Sequence, residues 1–195
     1  NDPLTFSSSS ANLNIPACSE ITFAGLYCGG AAEKSHTGRS KVKLKLPNAT
    51  NYIDLTAGQD FGTFESVHYQ YFKDITSLLK ANAESNGTYT VANVTGLEGV
   101  SGVEAGWTIV VVYKNATLPF RNLTVFDGFA GIPSKGNPLN ININGFLTPP
   151  VGPVNFELGF VAYEGDRGLA GDYILFNDKV ITDAVHSSDN TFNSS

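Results

Sequence analysis

Apolar and polar side chains alternate strictly in several short segments of the chain. From Lys41 to Leu46, every second residue is apolar and three lysines stand between them. Residues 11–15, 20–27 and 139–144 follow the same period of two, which is typical of a strand with one buried face. The lysine row has two interpretations. It guards an exposed sheet edge, which is the commoner role, or it faces an anionic partner.

Other segments complete the pattern. The uninterrupted apolar run 107–113 predicts a central strand that is buried on both faces. From Tyr71, apolar residues at i, i+4, i+7 and i+8 predict a short helix over about 74–82, with the carboxylate of Asp74 capping its start. Further strands are predicted at 88–94, 122–127, 154–163 and 172–177.

These elements predict an all-β fold, an antiparallel β-sandwich of jelly-roll type with one short helix. Strands do not alternate with long helices, which disfavours a parallel α/β sheet. The polar, serine-rich residues 1–10 are interpreted as a lead-in or linker, and residues 11–195 as a single domain. A chain of 195 residues is long enough to bury a sizeable core.

The charge balance excludes some classes of partner. The net charge is −6 and the isoelectric point is about 4.9, which argues against nucleic acid as the main ligand. No stretch approaches the roughly 18 apolar residues of a membrane helix, so we expect no membrane insertion. The composition favours a soluble, acidic, extracellular domain. Six glycosylation sequons indicate secretion only if the host modifies asparagine: Asn48, Asn86, Asn93, Asn115, Asn122 and Asn193.

The two cysteines, Cys18 and Cys28, have two interpretations. In a secreted protein a pair suggests a disulfide. If residues 20–28 form one strand, however, the thiols lie about 30 Å apart, because a strand rises roughly 3.3 Å per residue. A disulfide needs α-carbons within about 7 Å. Two buried free thiols are the alternative.

Several phrases in order resemble a β-sandwich module of large bacterial secreted and cell-surface proteins, which carry further adhesin-like domains. They run from about residue 5 to the end and include Ala24-Gly25-Leu26-Tyr27, Gly106-Trp107 before Val110-Val111-Val112-Tyr113, and Asn122-Leu123-Thr124-Val125-Phe126-Asp127-Gly128. The resemblance implies an extracellular, cell-surface location more than a mechanism. Such modules more typically carry Trp at the position of Cys28, which favours a local partner for that thiol.

Acidic residues beside glycines give the chain one candidate metal site. Calcium binds six to eight oxygens from carboxylates, carbonyls and water, and glycine-flanked loops bring such oxygens together. Ordinary turn acids are the alternative, because turns favour Asp and Gly. The candidate ligands of a structural calcium ion are Asp127, Glu164, Asp166 and Asp172.

The outward-facing asparagines Asn140, Asn142 and Asn144 have three interpretations: glycan binding through their amides, pairing with a neighbouring copy, or a neutral solvent face. Aromatic platforms for a sugar have four candidates: Tyr69, Tyr71, Tyr163 and Tyr173. No catalytic motif stands out, because the three histidines lie in unrelated contexts and no pair of acids is fixed by spacing.

The expected function is therefore non-enzymatic, a structural or adhesive module of a bacterial extracellular surface protein or fibre. Its expected partners are other domains or copies of the same surface protein. A carbohydrate-binding module is one alternative, with glycans as partners. The other is a self-assembling filament subunit that exchanges a terminal strand within residues 1–15 with a neighbouring copy.

Overall fold

The computed structural model describes residues 3–65, 67–100, 103–132, 137–163 and 165–193. It is an all-β protein with two four-stranded antiparallel sheets. Sheet A has the strand order β1-β7-β3-β4, and sheet B has the order β5-β6-β2-β8. The strands of sheet A are β1 Ser8–Leu13, β7 Gly87–Ala92, β3 Lys41–Lys45 and β4 Ile53–Thr56. Those of sheet B are β5 Gln59–Phe64, β6 His68–Asp74, β2 Glu20–Ala31 and β8 Ala105–Lys114.

The core lies between the inner faces of the two sheets. Sheet A contributes Leu44 and Val91, and sheet B contributes Ala24, Leu26 and Cys28, all of them buried. These side chains occupy alternate positions along their strands, as the period of a strand requires. Burial of this apolar surface is what holds the sheets together. The fold class predicted from alternation is thus confirmed, whereas the strand order does not confirm the jelly-roll type.

The described residues contain one short α-helix, α1 Thr76–Ala81, which packs its buried Leu79 into this core, and one turn of 3-10 helix at Thr37–Ser40. The predicted helix is therefore confirmed with narrower bounds. Tyr71, taken as its first apolar position, belongs to β6 instead. The carboxylate of Asp74 accepts a hydrogen bond from the backbone N–H of Thr76 at 2.8 Å, and the bonds from Thr76 hold the pKa of Asp74 below its usual value.

The segment 107–113 was predicted as a central strand, and this is wrong. It lies in β8, which forms an edge of sheet B and is half-buried along most of its length. An apolar run of this length does not distinguish a central strand from an apolar edge strand. The central strand of the sheet is β2, which is buried without interruption from Ala24 to Ala31.

The C-terminal half differs most from the predicted strands. Residues 122–127, 139–144 and 154–163 form no strand, and the region 172–177 forms only part of a hairpin between β9 Leu175–Phe176 and β10 Lys179–Val180. Strand pairing needs a partner in register, which local alternation does not supply. Conversely, β4, β5 and most of β6 were not predicted.

Two smaller predictions also change. The lysine row of β3 does not guard an edge, because β3 lies between β7 and β4 inside sheet A. Lys43 instead forms an ion pair with Asp54 of β4 at 2.6 Å. The lead-in predicted for residues 1–10 is also shorter, because β1 already begins at Ser8 and pairs with β7 of its own chain.

Candidate functional site

One side of the sandwich is formed by two edge strands, one from each sheet. β1 pairs with β7 and β8 pairs with β2, and no other described strand pairs with either of them. The indole N–H of Trp107 on β8 donates to the hydroxyl of Ser9 on β1 at 2.7 Å, so the two edges lie side by side. We call this the open side. An edge strand carries a row of backbone donors and acceptors that can pair with another chain.

A groove runs between the two edges of the open side. Its volume is about 370 Å³, and both its walls are strands. On β8, Trp107, Ile109 and Val111 occupy every second position and pack against the core. On β1, Ala11 and Leu13 line the facing wall. The groove therefore has apolar side chains on both walls, polar residues Ser9, Asn12 and Thr108 among its lining, and a ladder of backbone groups beside it.

The opposite side of the sandwich has different edges. β4 and β5 lie there, joined by only two residues between Thr56 and Gln59. β4 has four residues and carries Asp54, which is ion-paired to Lys43. The register of β5 against β6 shifts between Asp60 and Thr63. Short length, charge and irregular register are the ways in which proteins prevent edge-to-edge association.

The open side has none of these protections along the groove. β8 extends over ten residues without proline, and its one lysine, Lys114, is the last residue and forms an ion pair with Glu20 at 2.9 Å. β1 carries no charged residue. The register of β8 against β2 shifts between Ile21 and Phe23, beyond the groove. Along the groove the two edges of the open side are uncharged, and β8 is much longer than β4, which singles out the open side as the candidate functional site.

A second surface lies on the outer face of sheet B, where four aromatic rings gather over a glycine. We call these rings the aromatic plate: Phe23, Tyr27, Phe61 and Phe72. The rings of Phe23 and Phe72 are nearly parallel, at 12° with centroids 6.3 Å apart. They cover Gly25, where an added β-carbon would lie 2.8 Å from both rings. This cluster was not predicted, because strand alternation alone does not reveal which outward aromatic residues meet across strands.

The C-terminal half contacts this outer face at several points, among them Asp127 and Tyr163. The hydroxyl of Tyr27 donates to a carboxylate oxygen of Asp127 at 3.0 Å. Burial, and then the bond to Asp127, raise the pKa of Tyr27 well above its usual value. The ring of Tyr163 lies over Gly29 and Gly106, where an added β-carbon would be 3.2–3.3 Å from the ring. Two segments of the C-terminal half are therefore anchored on sheet B.

The structure gives the carboxylates of two predicted metal ligands, Asp127 and Asp172, other partners. Asp127 accepts the bond from Tyr27, and Asp172 accepts a bond from the backbone N–H of Phe192 at 2.7 Å. Asp166 lies in a turn, where its carbonyl accepts from the N–H of Leu169. Glu164 lies outside the described residues. No group of three or more metal-ligating side chains gathers in the described part of the chain. The calcium site stays a prediction.

The predicted glycan residues Asn140, Asn142 and Asn144 are exposed, as predicted, but they do not face outward from a sheet. The apolar residues between them are exposed as well: Leu139 by 45%, Ile141 by 69% and Ile143 by 37%. The prediction that those residues point inward is therefore wrong for this structure. Of the tyrosines proposed as sugar platforms, Tyr69 is buried in the protein and Tyr173 is exposed.

Both cysteines are free, so the candidate disulfide between Cys18 and Cys28 is not present. Cys18 is exposed and precedes β2, while Cys28 lies deep in the core eight residues into that strand. The extended strand keeps the thiols apart. Burial raises the pKa of Cys28 to about 12, so this thiol stays protonated at neutral pH.

Comparisons of the chain with models of protein families, with curated proteins and with solved structures found no match. Among the described residues, no helix has the length and apolar character that a membrane crossing needs. The functional argument therefore depends on the geometry of the open side and of the aromatic plate.

Proposed function

We propose that this protein is a non-enzymatic structural or adhesive module of a bacterial extracellular surface protein or fibre. It acts by contact with other domains or copies, and the open side is the surface that makes the contact. The observation that carries the proposal is the contrast between the two sides of the sandwich. At one side, β4 is only four residues long and ion-paired, and the register of β5 shifts. At the other side, β1 carries no charged residue, and β8 extends over ten residues with its one charged residue at the end.

Physical chemistry links that contrast to adhesion. An extended segment that adds to a sheet edge gains main-chain hydrogen bonds, and pockets for alternate side chains supply the specificity. The open side offers both, because the groove takes side chains beside the edge of β8. The resemblance to modules of bacterial surface proteins supports the extracellular location.

The test displays the chain on a non-adherent laboratory bacterium and measures cell aggregation and attachment. Ala11→Lys places a charge at the wall of the groove. Ser10→Lys is the matched control, because Ser10 is the preceding residue of the same strand and bonds Thr90 instead of lining the groove. We expect wild type and Ser10→Lys to aggregate or attach, and Ala11→Lys to lose this. No gain over cells without the chain would contradict the proposal.

The aromatic plate favours a second candidate function, carbohydrate binding. Two ring pairs of the plate are nearly parallel, at 12° and 11°, and the faces of such rings are the kind of surface on which apolar faces of sugars stack. Phe23, Phe61 and Phe72 are partly exposed. Calorimetric titration with soluble polysaccharides tests it. Binding that Phe61→Ala weakens, with Ala11→Lys unaffected, would place the sugar on the plate. Silence across the polysaccharides would leave adhesion through the open side as the function.

A further inference from the structure

One segment of the chain has the pattern of a strand and yet pairs with no described strand. Residues 139–144 read Leu-Asn-Ile-Asn-Ile-Asn, with perfect alternation and no charge. Every one of these residues is exposed, and none hydrogen-bonds to another described residue. Short uncharged segments of high alternation without proline are those most prone to pair with a foreign sheet edge.

Two other segments that were predicted as strands and form none contact sheet B of their own chain. Residues 122–127 end in Asp127, which accepts the bond from Tyr27, and residues 154–163 end in Tyr163, which lies on sheet B. Arg121, directly before the first segment, forms an ion pair with Glu157 of the second at 3.4 Å. In the sequence, residues 139–144 lie between these two segments, and their three apolar side chains are exposed.

We propose that residues 139–144 of a second copy of this chain pair beside β8 and fill the groove of the open side. The proposal rests on the proposed function and names its partner. Leu139, Ile141 and Ile143 stand at i, i+2 and i+4, and so do Trp107, Ile109 and Val111 in the groove. Both triplets span about 13 Å in an extended strand, so the side chains interdigitate over the full contact.

The backbone and the charge also fit. Six residues span about 20 Å, which is shorter than the ten-residue edge of β8. Neither the segment nor β8 between Ala105 and Tyr113 carries a charge, so neither electrostatic repulsion nor the burial of an ion opposes pairing. The asparagines then lie on the outer face, where their amides stay hydrated or meet other polar groups.

Each copy carries one groove and one segment, so the exchange is self-complementary. Two copies that exchange segments reciprocally close a two-fold dimer, and an unreciprocated exchange propagates a fibre. Both outcomes match a surface protein that assembles with its own copies.

The test compares Ile141→Lys with Ile132→Lys, because the two isoleucines are similarly exposed, at 69% and 61%. Molar mass is measured by light scattering and sedimentation over a range of concentrations. We expect wild type and Ile132→Lys to form dimers or longer assemblies as concentration rises, and Ile141→Lys and Ala11→Lys to remain monomers. Wild type that stays monomeric at its highest soluble concentration overturns the proposal.

Crosslinking identifies the pairing surface. In a Cys18→Ser background, Ile141→Cys carries a benzophenone label, and labelled chains are mixed with isotopically heavy unlabelled chains. We expect adducts between different chains within residues 8–13 or 105–114, and adducts within one chain overturn the proposal. If Ile141→Lys assembles like wild type while Ala11→Lys does not, the occupant is wrong and the proposed function stands. If Ala11→Lys also assembles and still aggregates cells, both fail.

Discussion

The amide of Asn86 joins the end of β1 to the start of β7, and its removal tests how the open side is held. Asn86 accepts a bond from the N–H of Ile15 at 2.8 Å and donates to the carbonyl of the same residue at 2.9 Å. Ile15 is only 8% exposed, so water cannot freely replace these partners. Each bond contributes about 0.5–1.5 kcal/mol net. Because Asn86 itself is exposed, we expect Asn86→Ala to cost about 1–2 kcal/mol.

Urea unfolding followed by tryptophan fluorescence measures this loss. Trp107 is the single tryptophan and lies in the groove beside β1, so it reports on the region concerned. With a slope of about 2 kcal/mol per molar urea, the midpoint falls by about 0.5–1 M.

Asn122→Ala is the matched control, because Asn122 is an exposed sequon asparagine with no hydrogen bond to another described residue. Its midpoint should equal that of wild type. Equal midpoints for Asn86→Ala and Asn122→Ala would refute the role of the amide. The contact also bears on the sequon, because Nδ2 of Asn86, the atom that would carry a glycan, donates to Ile15.

Three further predictions test the core, the thiols and the response to acid. Gly25→Ala should destabilise the fold by about 1–3 kcal/mol in the same urea assay, because its β-carbon would lie 2.8 Å from two aromatic rings. Gly58→Ala is the control and should be near neutral, because its β-carbon would lie 3.7 Å from the nearest atom, the carbonyl oxygen of Phe72. A thiol reagent at pH 8 should modify one cysteine per native chain and two in denaturant. Cys18 is exposed, whereas Cys28 is buried and has a pKa of about 12. Rapid modification of both cysteines in the native protein would contradict this prediction. Hydrogen bonds from the His186 side chain and from the backbone of Val185 and His186 lower the pKa of Asp183 from 3.8 to about 2. The ionised carboxylate therefore contributes to the stability of the folded state above pH 4, and this contribution is lost as the pH falls toward 2. In acid unfolding, Asp183→Asn should therefore lose less stability than wild type between pH 4 and pH 2. If the stability of both proteins depends on pH in the same way, the bonds of Asp183 do not contribute.

Local patterning predicted the strands whose inner face meets the core. The alternation in residues 41–46 became β3, that of 20–27 became β2, and Leu79 does pack as the helical spacing required. In each case one face is buried against a partner sheet, so the hydrophobic period and the tertiary contact agree.

Patterning failed where position within a sheet decides the structure. Residues 107–113 have the composition of a central strand, and nothing local indicates that β8 lacks a neighbour on one side. The segment 139–144 alternates as well as any strand, yet pairing is a non-local event that depends on an available edge. The open side was therefore not predictable, because it results from which strands the topology leaves last in each sheet. The aromatic plate likewise joins residues of β2, β5 and β6 that only the register of sheet B brings together.

Amide hydrogen exchange of β8 at several protein concentrations tests the central claim most directly. At low concentration, peptides covering Ala105–Lys114 should exchange faster than those of β2, because one edge of β8 has no described partner while β2 pairs on both sides. Protection of β8 should rise with concentration in wild type and Ile132→Lys, and it should stay low in Ile141→Lys. If β8 is as protected as β2 at the lowest concentration, its edge is already paired within the monomer and the account of the open side is wrong.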